Sequence, residues 1–205
     1  MMVLIRHAHT DMAGRFCGHS DPPLSARGLE QLEELKRAVS SYRFTHIFSS
    51  DLQRARQTAE SLAGNSGTAV RALNSLRELA FGDWEGLSWE EITARDPDYA
   101  GRWMDAWPAG LPAPNGEDFS AFTRRIDGAM NAIADEVQGS CAAVVTHAGV
   151  ISTFLKHVAC WEGAPEIPCC DYCSCWEISR DAGKNWTATA KAVAPHVHPA
   201  TEERR

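Results

Sequence analysis

Short apolar runs alternate with longer stretches of helical periodicity, and this pattern constrains the chain more than any other feature. Met2-Val3-Leu4-Ile5 has the look of a buried strand. After the polar, glycine-containing stretch 6–23, Ser25 can cap a helix that carries Leu29, Leu32, Leu35 and Val39 at three- to four-residue spacing. Glu30, Glu33, Glu34 and Lys36 fall outside that stripe. The alternation continues with strands at 45–48, 69–73 and 142–146 and helices at 52–62, 117–137 and 151–158. Two late strands, 174–178 and 186–192, are rich in β-branched and aromatic residues. Strands separated by helices require crossover connections, which favour a mostly parallel sheet covered on both faces. The expected fold is therefore α/β, a three-layer αβα sandwich around one mostly parallel central sheet. Residues 84–116, rich in Trp, Pro and acidic side chains, depart from the pattern and read as a small helical or loop cap inserted over one end of the sheet. The expected organisation is one domain over 1–194 with that insertion, followed by a tail at 195–205.

Charge and composition narrow the function. Against 20 basic side chains stand 27 acidic ones, a formal charge of −7, and the first run of basic residues is Arg204-Arg205. A phosphate-backbone partner needs a basic patch, so nucleic acid is not expected. The first apolar run stops at Arg6, too short for a signal peptide or a membrane span, which points to a cytoplasmic protein with no membrane partner. Seven cysteines, an odd number, read as reduced thiols. No period of 20 to 50 residues repeats, which excludes solenoids and propellers.

Two strands end in histidine, Leu4-Ile5-Arg6-His7 and Val144-Val145-Thr146-His147, at the place where open α/β sheets bind ligands. Arg54, in the first turns of the helix after the second strand, should face the same crevice. Guanidiniums beside an imidazole keep the ring neutral and nucleophilic, and the same groups attract a phosphate dianion. Two arginines and two histidines around one point thus describe a phosphoryl site with no need of a metal or other cofactor. A leaving alkoxide also requires a proton, for which Glu78 is the first candidate, with Asp83 and Glu85 as rivals. One alternative is a metal shell built from the His7-Ala8-His9 pair with His147 and Asp51, although two nearby arginines would repel a cation. Another is a zinc or redox cluster of Cys169, Cys170, Cys173 and Cys175 with His196 and His198. The spacing there is poor, and buried thiols are the preferred reading.

At these residues the sequence resembles the histidine phosphatase superfamily, which includes the cofactor-dependent phosphoglycerate mutases. The match runs through Arg6-His7-Ala8, Gly18, Pro23-Leu24, Arg27-Gly28, the block from Ser49 to Ala59, Glu78, Gly82, Glu85-Gly86 and Thr146-His147-Ala148-Gly149-Val150. The resemblance implies that His7 is phosphorylated, Arg6 and Arg54 clamp the phosphoryl group, His147 stabilises it, and Glu78 is the acid that later activates water. It also places His19, Ala148 and Trp84 against the substrate, a small-molecule phosphomonoester. The segments around Phe16-Cys17-Gly18-His19, Phe81-Gly82-Asp83-Trp84-Glu85, Pro114-Asn115-Gly116-Glu117 and Cys175-Trp176 look most like the branch acting on α-ribazole 5′-phosphate in cobalamin biosynthesis. Trp84, Trp89, Trp103 and Trp107 crowd the presumed cap and suit an aromatic base by stacking. The alternatives are a broad-specificity phosphatase or mutase-like enzyme, and a noncatalytic phosphate-binding protein of the same fold; a homodimer is compatible with either. Ala8, His9, Ala13 and Ala148 depart from the family pattern, and the alanines at 8 and 148 are harmless only if their backbones avoid positive φ.

Overall fold

The computed structural model describes residues 1–64, 67–106, 111–158 and 170–191. Its elements in chain order are β1 (Met2–Arg6), α1 (Ala26–Ala38), β2 (His46–Ser50), α2 (Gln53–Ala63), β3 (Val70–Leu73), α3 (Trp89–Arg95), α4 (Pro97–Ala106), α5 (Phe119–Glu136), β4 (Ala142–Thr146), α6 (Ala148–Thr153), β5 (Cys175–Arg180) and β6 (Trp186–Lys191). The six strands form one sheet in the order β3-β2-β4-β1-β5-β6. Strands β1 to β4 pair in parallel, and β5 and β6 add to the far edge antiparallel. This is the expected mostly parallel α/β sheet.

Alternation along the central strands divides the core into two layers, because successive strand residues point to opposite faces. Leu4, Phe48 and Val144 pack on one face with Phe122, Ile126 and Met130 of α5 and with Val150 and Ile151 of α6. On the other face, Val3, Ile5, Ile47 and Val145 meet Leu32 and Leu35 of α1 and Ala55 and Ala59 of α2. Leu29, counted above in the apolar stripe of α1, is instead 55% exposed. The inward position is Gly28, where a Cβ would lie 2.2 Å from the His9 carbonyl oxygen. Close approach of α1 to the loop after β1 therefore turns Leu29 outward.

Ser25 caps α1 by accepting from the Gly28 N–H, and Asp118 caps α5 by accepting from the Ala121 N–H. The helix expected over 151–158 starts earlier, at Ala148, directly after the strand-end histidine, and continues from Phe154 to Val158 with π-type geometry. Helices α3 and α4 fall inside the stretch expected as a cap, and an apolar cluster of its own forms there around Trp84, Ile92, Ala100 and Trp103. Trp107, Cys169, His196, His198 and the tail at 195–205 lie outside the described residues. Among the described residues no helix is long and apolar enough to cross a membrane.

Candidate active site

The carboxyl ends of β1, β2 and β4 converge, and the backbone carries the site residues to one place. His7 extends the ladder by donating its N–H to the Thr146 carbonyl at 2.9 Å. This brings the His7 ring beside that of His147, with centroids 5.0 Å apart and edge-on. Arg54, in the first turn of α2, is 1% exposed. Its Nη1 donates to Ser20 O at 2.7 Å, and its Nη2 to Cys17 O at 3.1 Å and Gly18 O at 2.9 Å, so the loop after β1 holds it from below. Its Nε–H points at His7 Nε2, 3.3 Å away.

This contact settles the tautomer that His7 needs. Its Nδ1–H donates to Ala8 O at 2.8 Å, which leaves the lone pair on Nε2 beside a guanidinium. Burial, reinforced by Arg54 and Arg6, holds the His7 imidazole well below the usual histidine range. The same burial, with Arg54 and His7 adding to it, does so for His147. Both ring nitrogens of His147 and the Nε of Arg6 are buried without a hydrogen-bond partner among the described residues. Buried polar groups are normally paired, so the Arg6 Nε–H and the one ring N–H of His147 are donors open to an acceptor.

Glu78 is 7% exposed. Its carboxylate oxygens accept from the Leu79 N–H and the Gly149 N–H, each at 2.9 Å. Burial nevertheless dominates and raises its pKa. A Cβ at Gly149 would lie 2.2 Å from Glu78 Oε1, so any other residue there would displace the carboxylate. Arg125, on α5, braces the segment from behind by donating to the carbonyls of Ser75, Arg77 and Glu78 while paired with Glu117.

The rival acids are committed elsewhere. Glu85 accepts from the backbone N–H groups of Gly18, His19, Ser20 and Phe81 and from the Ser20 hydroxyl. Burial opposes its ionisation, but those bonds outweigh it and hold the carboxyl below its usual range. It therefore fixes the loop whose carbonyls grip Arg54. Asp83 accepts from Asn115 Nδ2 at 2.8 Å. Asp51, considered above as a metal ligand, is held by both Nε and Nη2 of Arg77 at 2.7 Å. Among the described residues no group of three or more His, Cys, Asp or Glu is placed to hold a metal ion. Cys173 and Cys175 are buried thiols, each pushed up to about 12 by burial.

A cavity of about 310 Å³ opens onto this cluster, with Arg6, His7, Arg54, Glu78 and Ala148 in its lining. Three expected substrate contacts are not in its wall: His147, whose ring is buried against that of His7, Trp84 and His19. Trp84 is 6% exposed and packs edge-on against Trp103 and Phe16 inside the cap, while Trp89 reaches the cavity instead. His19 turns its ring onto the Glu78 carbonyl, with Nε2 3.2 Å from that oxygen, and is not in the cavity wall. The walls also include Phe16 and Phe81, from the segments that carry the branch resemblance, and Met12, Arg15 and Tyr172, which were not singled out from the sequence. Tyr172 was traceable in principle, because an antiparallel strand beside β1 must begin at the end where β1 finishes. Arg125 was also traceable, as an arginine on the apolar stripe of Phe122, Ile126 and Ala129. Ala8 and Ala148 do not have positive φ, so glycine is not required at either position. A larger hollow, about 380 Å³, lies at the opposite end of the sheet near Asp135, Arg180 and Trp186. Arg180 is bound there by Asn131 and Asp135, and no candidate catalytic residue lines it.

Buried titratable groups make stability depend on pH in a defined window. Folded His7 and His147 stay neutral while their unfolded forms gain protons below about 6.5, so their contribution is present above that pH and lost below it. Glu78 acts in the opposite sense, because its folded form keeps a proton that the unfolded form releases above about 4.5. His9, lowered by burial and Arg27, adds to the histidine side. The two buried histidines outnumber the one acid. Stability should therefore rise with pH below about 6.5. Urea unfolding across that range measures the slope, which Glu78→Gln should steepen. A flat profile would show that the histidines are charged in the fold.

Residues 2–192 match the profile of the Histidine phosphatase superfamily (branch 1). The chain is 31% identical over 157 residues to the adenosylcobalamin/alpha-ribazole phosphatase of Escherichia coli strain K12, a match spanning 76% of this chain and 77% of that protein. It is 32% identical over 148 residues to the probable phosphoglycerate mutase GpmB of Escherichia coli O1:K1, over 71% and 68% of the respective lengths. The crystal structure of the alpha-ribazole phosphatase from Shigella flexneri aligns with a TM-score of 0.78 at 26% identity, covering 93% of this chain and 94% of that one.

Proposed function

This chain belongs to the histidine phosphatase superfamily, and we propose that within it the chain is a metal-independent phosphomonoesterase that hydrolyses α-ribazole 5′-phosphate through a phosphohistidine on His7. That it is a phosphatase acting on a small phosphate-bearing molecule follows from the family; the intermediate and the substrate are the proposal. The observation that carries it is the neutral His7 ring, with Nδ1–H held by Ala8 O and the Nε2 lone pair beside Arg54 in the cavity wall.

In the first step His7 Nε2 attacks phosphorus in line. The N–P bond forms as the bond to the leaving oxygen breaks, and protonated Glu78 gives that oxygen its proton. Arg6 and Arg54 carry the charge on the phosphoryl oxygens, and His147 donates its single ring N–H to one of them. In the second step Glu78, now a carboxylate, takes a proton from water while the water oxygen displaces His7 from phosphorus. Phosphate leaves, and both residues return to their starting forms. Two guanidiniums do the charge stabilisation for which other phosphatases use cations.

The choice of substrate is supported by the kinship with α-ribazole phosphatases and by Phe16, Phe81 and Trp89 in the cavity wall, apolar surfaces suited to an aromatic base. Arg15, the cationic side chain near the mouth, is paired with Glu91 and the Gly86 carbonyl, which disfavours it as a receptor for the carboxylate of a phosphoglycerate. The test is kcat/KM for phosphate release from α-ribazole 5′-phosphate, 3-phosphoglycerate and simple nucleotides, with a chelator present throughout. We expect α-ribazole 5′-phosphate to lead by at least about tenfold. Equal rates would leave a broad-specificity phosphatase. No hydrolysis with tight vanadate binding would make the chain a phosphate-binding protein, and activity lost to the chelator but restored by zinc would overturn metal independence.

A further inference from the structure

Tyr172 enters the site from the loop ahead of β5. Its ring lies against the Arg6 guanidinium, with Cζ 3.8 Å from the ring centroid, and meets His7 and His9 edge-on at 5.6 and 5.0 Å. The backbone holds it there from its C-terminal side. The Cys173 N–H donates to Arg6 O at 3.2 Å, and the Arg6 N–H donates to Ser174 O at 3.0 Å. Cys173, buried between these bonds, has φ +62°, a left-handed conformation that a residue with a Cβ adopts only where its surroundings determine it. Such strain is concentrated at functional sites. Here it turns the chain so that Tyr172 faces Arg6 rather than solvent.

The stack has a geometric consequence. A ring on the guanidinium face leaves the N–H edge free for in-plane bonds. Arg6 Nη1 is committed to the Cys170 carbonyl, whereas the buried Nε has no partner among the described residues. The plane of the stack therefore sets where the open edge of Arg6 points.

We propose that Tyr172 is a positioning residue that, held by the left-handed turn at Cys173, fixes the plane in which Arg6 presents its open N–H edge to the phosphoryl group. This deepens the phosphohistidine reading and rests on it. The ring and not the hydroxyl carries the effect, so phenylalanine should substitute and an aliphatic side chain should not.

Four variants test it: Tyr172→Leu, Tyr172→Phe, Arg6→Ala, and Tyr172→Leu combined with Arg6→Ala. Each is compared with the parent, and the combined variant with Arg6→Ala alone, for kcat and KM on p-nitrophenyl phosphate, orthovanadate affinity by calorimetry, and thermal midpoint. Tyr172→Leu should lose about tenfold in kcat/KM, chiefly in kcat, and a similar factor in vanadate affinity. Tyr172→Phe should recover most of that loss. Without the Arg6 guanidinium, adding Tyr172→Leu should cost less than about twofold, because the residue acts through it. The proposal is overturned by undiminished kcat/KM and vanadate affinity in Tyr172→Leu, by an equal loss in Tyr172→Phe, or by a full additional loss on top of Arg6→Ala. A parent protein without turnover would defeat the phosphatase reading, yet the vanadate affinities would still decide the role of Tyr172.

Discussion

Replacing His7 with alanine will lower phosphate release by at least about a thousandfold, because no other group in the site can take over the attack. His147 is the nearest substitute, but it follows β4 with its ring centroid 5.0 Å from that of His7. A nucleophile displaced by that distance cannot reach in-line geometry on a phosphorus positioned for His7. The variant should remain folded, since the backbone N–H of residue 7 keeps its bond to Thr146 O. Phosphate release is read together with label trapping from a phosphorus-labelled substrate, which should mark the parent protein and leave the variant unlabelled. If the alanine variant kept more than about a tenth of the parent rate, the covalent scheme would have to be abandoned.

Glu78→Gln should have the second-largest effect, and it should depend on the leaving group. An alkyl phosphate expels a poor leaving group that needs protonation, so its kcat/KM, which reports the transfer to His7, should fall by about a hundredfold or more. An activated aryloxide leaves without that help, so kcat/KM on an aryl phosphate should fall far less. Burial raises the pKa of Glu78, so its acid form persists to higher pH than that of an exposed carboxyl, and parent kcat/KM on alkyl phosphates should decline as pH rises through that value. The variant, with nothing to titrate there, should lose this limb. His7 sets the other side of the profile: its lowered pKa keeps the ring neutral well below the usual histidine range, so the acid limb should lie there. Equal losses on both substrate classes would remove Glu78 from the role of proton donor, and Asp83 and Glu85 would be poor replacements given their existing bonds.

The parts of this molecule most readable from sequence are those in which local pattern and function coincide. The apolar runs before His7 and His147 announce buried strands, and a residue placed directly after a parallel strand has one possible end of the sheet to occupy. Arg54 was legible for the same reason, one helical turn after β2. The depth of Glu78 was not, because its burial depends on the Gly149 backbone and the Arg125 brace, contacts separated from it by 71 and 47 residues. Trp84 and Trp89 show the limit for the cap. Both are tryptophans in one short segment, and which of them faces the cavity is decided by how α3 packs on Phe16 and Trp103, a tertiary matter that composition does not encode. Tyr172 was hidden by its cysteine neighbours, which drew attention to metal chemistry and away from the end of β1 that the loop must meet.

Strands β1 and β4 are adjacent in the middle of the six-stranded sheet, and Arg6 pairs directly with Thr146. Their side chains are buried almost throughout. Segments so enclosed open to hydrogen exchange only at a free-energy cost approaching that of unfolding the whole domain, whereas exposed loops open at far smaller cost. The two histidines are thus anchored in the part of the molecule least able to fluctuate. Adaptation to a new substrate cannot come from loosening the catalytic frame without endangering the fold. It is left to the cap, whose apolar cluster is its own and which can shift without breaking the ladder that aligns His7 with His147.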